Sequence, residues 1–165
     1  MEDREKRTYE FLDGLGIKYE RYTHEAVMTI AAAEDIEKKI GLKICKNLFL
    51  STRHGSEFYL LTMDGSKKFN TGKVSKQIGV PRMTFADEGH MLEYLDIHPG
   101  SVSPLGLMND KENRVKFLLD SDILDREVIA VHPCVNTATL VIGLKDFIEK
   151  VLPACGHDYT AVKVD

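Results

Sequence analysis

A chain of 165 residues with net charge −4, 43% hydrophobic and 29% charged, has the size and composition of one soluble globular domain, residues 1–165. No apolar run approaches the ~20 residues that cross a bilayer, and the charged start Met1-Glu2-Asp3-Arg4-Glu5-Lys6-Arg7 is not read as a secretory leader. Cys45, Cys134 and Cys155 are far apart and form no Cys-x-x-Cys pair, which argues against zinc or a disulfide framework and for a reduced, cytoplasmic setting.

In chain order, the spacing of Tyr9, Leu12 and Leu15 predicts a helix over Glu2–Leu15, stopped by Gly14 and Gly16. Alternation over Ile17–His24 predicts a strand. Thr29 is a natural N-cap for a helix over Ile30–Ile40, closed by Gly41. Lys46–Ser51 and Glu57–Met63 are β-rich runs joined by a short polar loop, a hairpin. Asp64-Gly65-Ser66 reads as a turn, then Thr71–Ile78 and Ala86–Leu95 as helices. Strands are predicted over Arg114–Leu119, Val128–Val131 and Thr137–Ile142, a helix over Leu144–Leu152, and an edge strand over Tyr159–Val164. Helices interspersed with short-looped strands predict an α+β fold: one domain, a mainly antiparallel or mixed sheet surrounded by helices.

The charge is unevenly distributed. Between Lys38 and Arg82 ten Lys or Arg face only Glu57 and Asp64, a segment of +8 that leaves −12 elsewhere. A basic middle in an acidic chain suits docking onto phosphates, or is a solvated face.

Three stretches hold residues suited to chemistry. In His98-Pro99-Gly100-Ser101-Val102-Ser103-Pro104-Leu105-Gly106-Leu107, two prolines and two glycines forbid ordinary helix or strand. Such a loop is a tight turn, or a cradle of peptide N–H groups for a carbonyl or oxyanion. Lys46 shares its strand face with Leu48 and Leu50, so it snorkels from the strand end or reaches a pocket. His132-Pro133-Cys134-Val135-Asn136-Thr137-Ala138-Thr139 ends an apolar strand, where the His is a surface residue or lines a cleft. Phosphate-loop, dinucleotide, His-Glu-x-x-His and Gly-x-Ser-x-Gly motifs are absent.

In this order, Lys46-Asn47, Gly100-Ser101-Val102-Ser103-Pro104 and His132-Pro133 with Asn136-Thr137-Ala138-Thr139 resemble the YbaK/prolyl-tRNA-synthetase-associated editing-domain family. The resemblance covers essentially the whole chain. Gly-Ser-Val-Ser-Pro, where the cysteinyl-tRNA deacylase branch usually has Gly-Gly-Ile-Ser-Pro, favours the freestanding, alanine-editing branch.

The resemblance implies a trans-editing hydrolase that removes alanine from mischarged proline tRNA. A pocket built for proline rejects the smaller alanine weakly, since a missing methylene is worth only ~1–3 kcal/mol, so a second sieve is needed. It implies a catalytic set of Lys46, Gly100, Ser101 and His132, and a substrate-binding set of Asn47, Val102, Ser103, Pro104, Asn136 and Thr137. The N–H groups of Gly100–Ser103 would hold the ester carbonyl, and Lys46 the terminal phosphate or carbonyl region. Asn47 and His132 would orient the aminoacyl group or water, with the Thr29–Ile40 helix walling the pocket. The tRNA's own ribose hydroxyl would activate water, with no metal and no cofactor; Ser101 and Ser103 lack an acid–base partner for a nucleophilic role. Lys67, Lys68, Lys73 and Lys76 would meet the tRNA acceptor stem, with prolyl-tRNA synthetase as a further partner and no membrane. The alternatives are a deacylase for cysteinyl- or seryl-tRNA and a non-catalytic aminoacyl-tRNA or synthetase-binding module.

Overall fold

The computed structural model describes residues 1–26 and 29–165 and divides the strands between two sheets. A three-stranded antiparallel sheet has the order β1–β7–β6, with β1 at Tyr19–Thr23, β6 at Val128–Val131 and β7 at Ala138–Gly143. A five-stranded mixed sheet has the order β4–β2–β3–β5–β8. Its strands are β2 (Lys46–Ser51), β3 (Phe58–Met63), β4 (Thr84–Phe85), β5 (Val115–Asp120) and β8 (Tyr159–Val162). The predicted hairpin is present as β2–β3, while β3–β5 and β5–β8 are parallel. The architecture is the predicted α+β class, but with two sheets instead of one. They meet at the foot of β2, where the Cys45 N–H donates to the Ala130 carbonyl of β6 at 3.1 Å.

Burial explains the split. The central strand β3 is buried on both faces, so it reads as a continuous apolar run. Phe58 and Leu60 face the larger core, shared with Leu105, Leu107, Val131, Leu140 and Phe147. Tyr59, Leu61 and Met63 face a smaller core with Val74 of α3 (Thr71–Ile78) and Val162. Each such side chain contributes about 1.5–3 kcal/mol on burial.

The helices follow their local signals. Helix α1 spans Asp3–Gly14 and ties to β1 through its buried Glu5, which accepts from Arg21 at 2.8 Å and Tyr9 at 2.5 Å. Helix α2 (Ile30–Ile40) is capped by Thr29, whose Oγ1 accepts the Ala32 N–H at 3.1 Å, and ends at Gly41 with φ +80°. Helix α4 (Glu88–Leu95) starts two residues later than predicted. The Asp87 side chain caps it, and Ala86 instead donates to the Phe49 carbonyl, prolonging the β4 contact that periodicity did not predict. A last helical stretch comprises α5 (Leu144–Asp146), a π-helical segment Phe147–Val151 and α6 (Leu152–Ala154). The widening lies just before Pro153, which lacks an N–H to continue the ladder.

Candidate active site

Pro99 and Gly100 build the first wall. Gly100 has φ +87°, and the Ser101 N–H donates to the His98 carbonyl at 3.1 Å. Proline followed by a left-handed glycine, closed by that bond, is a type II turn. The Ser101 amide is therefore occupied within the turn, which corrects the expectation that every N–H from Gly100 to Ser103 faces substrate. For the N–H groups of Gly100, Val102 and Ser103 there is no acceptor among the described residues. Ser103 is fully buried and its Oγ accepts the Leu105 N–H at 3.1 Å, capping the 3₁₀ turn Pro104–Asn109. Its hydroxyl oxygen thus caps that turn, which Pro104, also buried, starts. Gly106 has no room for a side chain, since a Cβ would stand 2.5 Å from Ile97 Cδ1.

The His132 loop closes against this turn. A Cβ at Gly100 would lie 3.6 Å from Asn136 Nδ2. The exposed Thr137 accepts the His24 N–H through its carbonyl at 2.9 Å, extending the β1–β7 ladder by one residue. His132 Nδ1 lies 2.9 Å from the Ala138 carbonyl. A carbonyl only accepts, so the ring carries its hydrogen on Nδ1 and presents Nε2 as a lone pair. Burial pushes the His132 pKa below its ordinary value; the Ala138 bond opposes this, and the neighbouring His24 adds to it. The two imidazoles lie 6.2 Å apart, and His24 Nε2 is held 2.8 Å from Thr139 Oγ1.

Lys46 and His132 line one cleft of about 250 Å³, together with Ala33, Glu34 and Glu37 of α2 and Gly65. Glu37 fixes the approach to β2 by accepting the Ile44 N–H at 2.8 Å. Lys46 is exposed at the start of β2, and its ammonium donates to the Lys67 carbonyl at 2.6 Å. Asn47 points to the opposite face of the strand and accepts from Thr62 Oγ1 at 2.6 Å. Cys45 and Cys134 are buried and their thiols are pushed up to about 11, so both stay protonated at neutral pH. Among the described residues, no group of three or more His, Cys, Asp or Glu could hold a metal ion.

The predicted tRNA-facing lysines divide. Lys68, Lys73 and Lys76 are exposed. Lys67 is not available: its ammonium contacts Asp120 at 3.0 Å, Asp122 at 2.6 Å and Asp165 at 3.2 Å, with its side chain only 12% exposed. Burial opposes the charge, yet the three carboxylates raise the pKa. Three partners 53 to 98 residues away convert a surface-type residue into an internal one. Sequence reading also missed His24 and Glu37. The partner of His24, Thr139, lies 115 residues on, so no local pattern marks it.

A family model described as the aminoacyl-tRNA editing domain matches residues 24–150. The prolyl-tRNA editing protein ProX of Acetoanaerobium sticklandii is 35% identical over 153 residues, 93% of each chain. The prolyl-tRNA synthetase associated domain-containing protein 1 of Mus musculus is 34% identical over 158 residues, covering 93% of this chain and 92% of that one. A solved structure presented as a candidate trans-editing enzyme for prolyl tRNA synthetase superposes with a TM-score of 0.72 at 18% identity, covering 99% and 98% of the two chains, a likeness of fold.

Proposed function

The chain belongs to the aminoacyl-tRNA editing domain family, and from that premise we propose that it is a trans-editing deacylase that hydrolyses alanine from mischarged proline tRNA. One observation carries the reading: Lys46 and His132 line a common cleft while the Gly100 turn closes on Asn136 of the His132 loop. His132 thus links the cleft of Lys46 to the loop that meets the Gly100 turn.

In this reading the ester carbonyl of the aminoacyl group enters beside the Gly100 turn. Water attacks the carbonyl carbon, and the oxyanion that develops is held by the N–H groups without a protein acceptor, those of Gly100, Val102 and Ser103. The Lys46 ammonium supplies positive charge toward the carbonyl or the terminal phosphate. Neutral His132, with Nδ1 held by the Ala138 carbonyl, accepts at Nε2 a hydrogen bond from the attacking water or from the substrate ammonium. Asn136 and Thr137 border the aminoacyl group, and Asn47 steadies β2 through Thr62. As the tetrahedral intermediate collapses and the C–O ester bond breaks, the proton shed by the attacking water passes to the ribose oxygen, leaving free alanine and the tRNA ribose hydroxyl. Lys68, Lys73 and Lys76 meet acceptor-stem phosphates, and prolyl-tRNA synthetase is the partner whose errors are cleared.

The test is release of labelled alanine from mischarged proline tRNA, with prolyl-tRNA as control and with cysteinyl- and seryl-tRNA alongside. Selective release of alanine is expected. Faster release of cysteine or serine moves the specificity to that group, and no release from any mischarged tRNA replaces the enzyme with a binding module.

A further inference from the structure

Asp120 is buried without trace of solvent and ends strand β5. Its Oδ2 accepts the Asp64 N–H at 3.0 Å, and its Oδ1 accepts the Lys67 ammonium at 3.0 Å and the Asp122 N–H at 3.1 Å. It therefore grips the turn Asp64-Gly65-Ser66-Lys67 at both ends. The turn is closed internally as well: Lys67 N–H to the Asp64 carbonyl at 3.2 Å, Ser66 N–H to Asp64 Oδ1 at 2.7 Å. Arg126 pairs with the other Asp64 oxygen. Gly65 presses on the entry to β2 so closely that a Cβ would stand 2.2 Å from the Ile44 carbonyl.

Burying a carboxylate to hold a surface turn is a poor route to stability, because desolvation consumes most of the Coulombic gain. What the arrangement does fix is a position. The gripped turn carries the Lys67 carbonyl, the hydrogen-bond partner of Lys46, and Gly65 lines the same cleft as Lys46 and His132. We infer that Asp120 and Lys67 are positioning residues, clasping this turn so that the Lys67 carbonyl holds the Lys46 ammonium at the mouth of the cleft. The inference rests on the reading of Lys46 given above for its effect on turnover, but not for its effect on Lys46 itself.

Two measurements test it. In Lys67→Met and Asp120→Asn, each verified as folded by circular dichroism and thermal melting, kcat for alanine release falls about 10- to 100-fold with KM nearly unchanged, the scale of an ångström-level misplacement. Independently of activity, trace acylation with acetic anhydride read by mass spectrometry reports the freedom of each lysine. Lys46 is expected to react slowly relative to Lys68 and Lys73 in the unmodified protein and several-fold faster in either variant. Asp110→Asn, which alters an equally buried carboxylate at the other end of β5, serves as the control and leaves Lys46 labelling unchanged. Should Lys46 labelling stay constant in both clasp variants, or rise as much in the control, the inference is overturned. Should labelling respond while the unmodified protein releases no amino acid from any mischarged tRNA, the clasp stands and the deacylase reading falls.

Discussion

Strand β5 is bounded by two buried aspartates that serve opposite ends of the molecule. Asp110, ahead of the strand, accepts the Arg114 N–H at 2.9 Å, the Val115 N–H at 2.8 Å and His157 Nε2 at 2.9 Å. Asp120, at its far end, grips the turn beneath the cleft. In the first region every polar group is internal: His157 uses its other nitrogen on the Cys155 carbonyl, and the pair is sealed. In the second, the chain of bonds leads outward, through Lys67 to an exposed ammonium. One residue type, equally buried, latches the fold at one end and orients a surface lysine at the other. Burial alone does not distinguish the roles; the destination of the hydrogen bonds does.

The widest separation between the two regions is expected from Asp110→Ala. It leaves His157 buried without its carboxylate and should cost about 3–5 kcal/mol of stability in chemical denaturation, with turnover per folded molecule unchanged. The reverse outcome comes from Lys46→Ala at the cleft. Stability should stay near that of the unmodified chain while alanine release falls about 10²–10³-fold, as when one oxyanion-binding donor is removed; unchanged turnover would remove Lys46 from the site.

A pH series sharpens the contrast without mutation. Burial opposes the charge on His157, but the Asp110 carboxylate and the Cys155 carbonyl outweigh it and raise its pKa. Its contribution is then complete below the ordinary histidine value of about 6.5 and is lost as pH rises through the raised folded value. Burial also works against the Asp110 carboxylate, yet His157 and the Val115 and Arg114 N–H groups hold its pKa down. That contribution is complete above about 3.9 and is lost as pH falls through the depressed value. Thermal midpoints should therefore peak between about pH 4 and 6.5 and decline on both sides. Asp110→Ala should flatten both limbs.

The smallest effect concerns the exposed lysines. Replacing Lys68, Lys73 and Lys76 together by alanine should weaken binding of whole tRNA and make the logarithmic salt dependence shallower by about one unit per lost phosphate contact. Hydrolysis of a short aminoacyl-oligonucleotide should be untouched. Lys67→Met should not change that slope, because its charge already belongs to three carboxylates.

Legibility in the sequence followed distance along the chain. Thr29, Gly41 and Gly79 announce helix ends because a cap acts on backbone groups within four residues. Pro99-Gly100 announces a tight turn because φ is fixed at one position and freed at the next, and the structure makes it type II. Most strand limits, such as Val128–Val131, follow from runs of β-branched and apolar residues. The order Lys46-Asn47, Gly100 to Pro104, His132 onward carried the family resemblance. The family model and the relatives confirm that family.

The tertiary structure decided the rest. That the strands divide into two sheets depends on which faces find apolar cover, and no run of residues encodes its partner. Lys67 and Lys68 are adjacent and chemically identical, yet one is caged and the other exposed. His24 and Glu37 entered the site without any local mark. Dihedral preferences and caps are properties of neighbouring residues, so the sequence states them directly. The availability of a charge depends on desolvation and on partners 53 to 98 positions away, which only the folded chain brings within 3.2 Å.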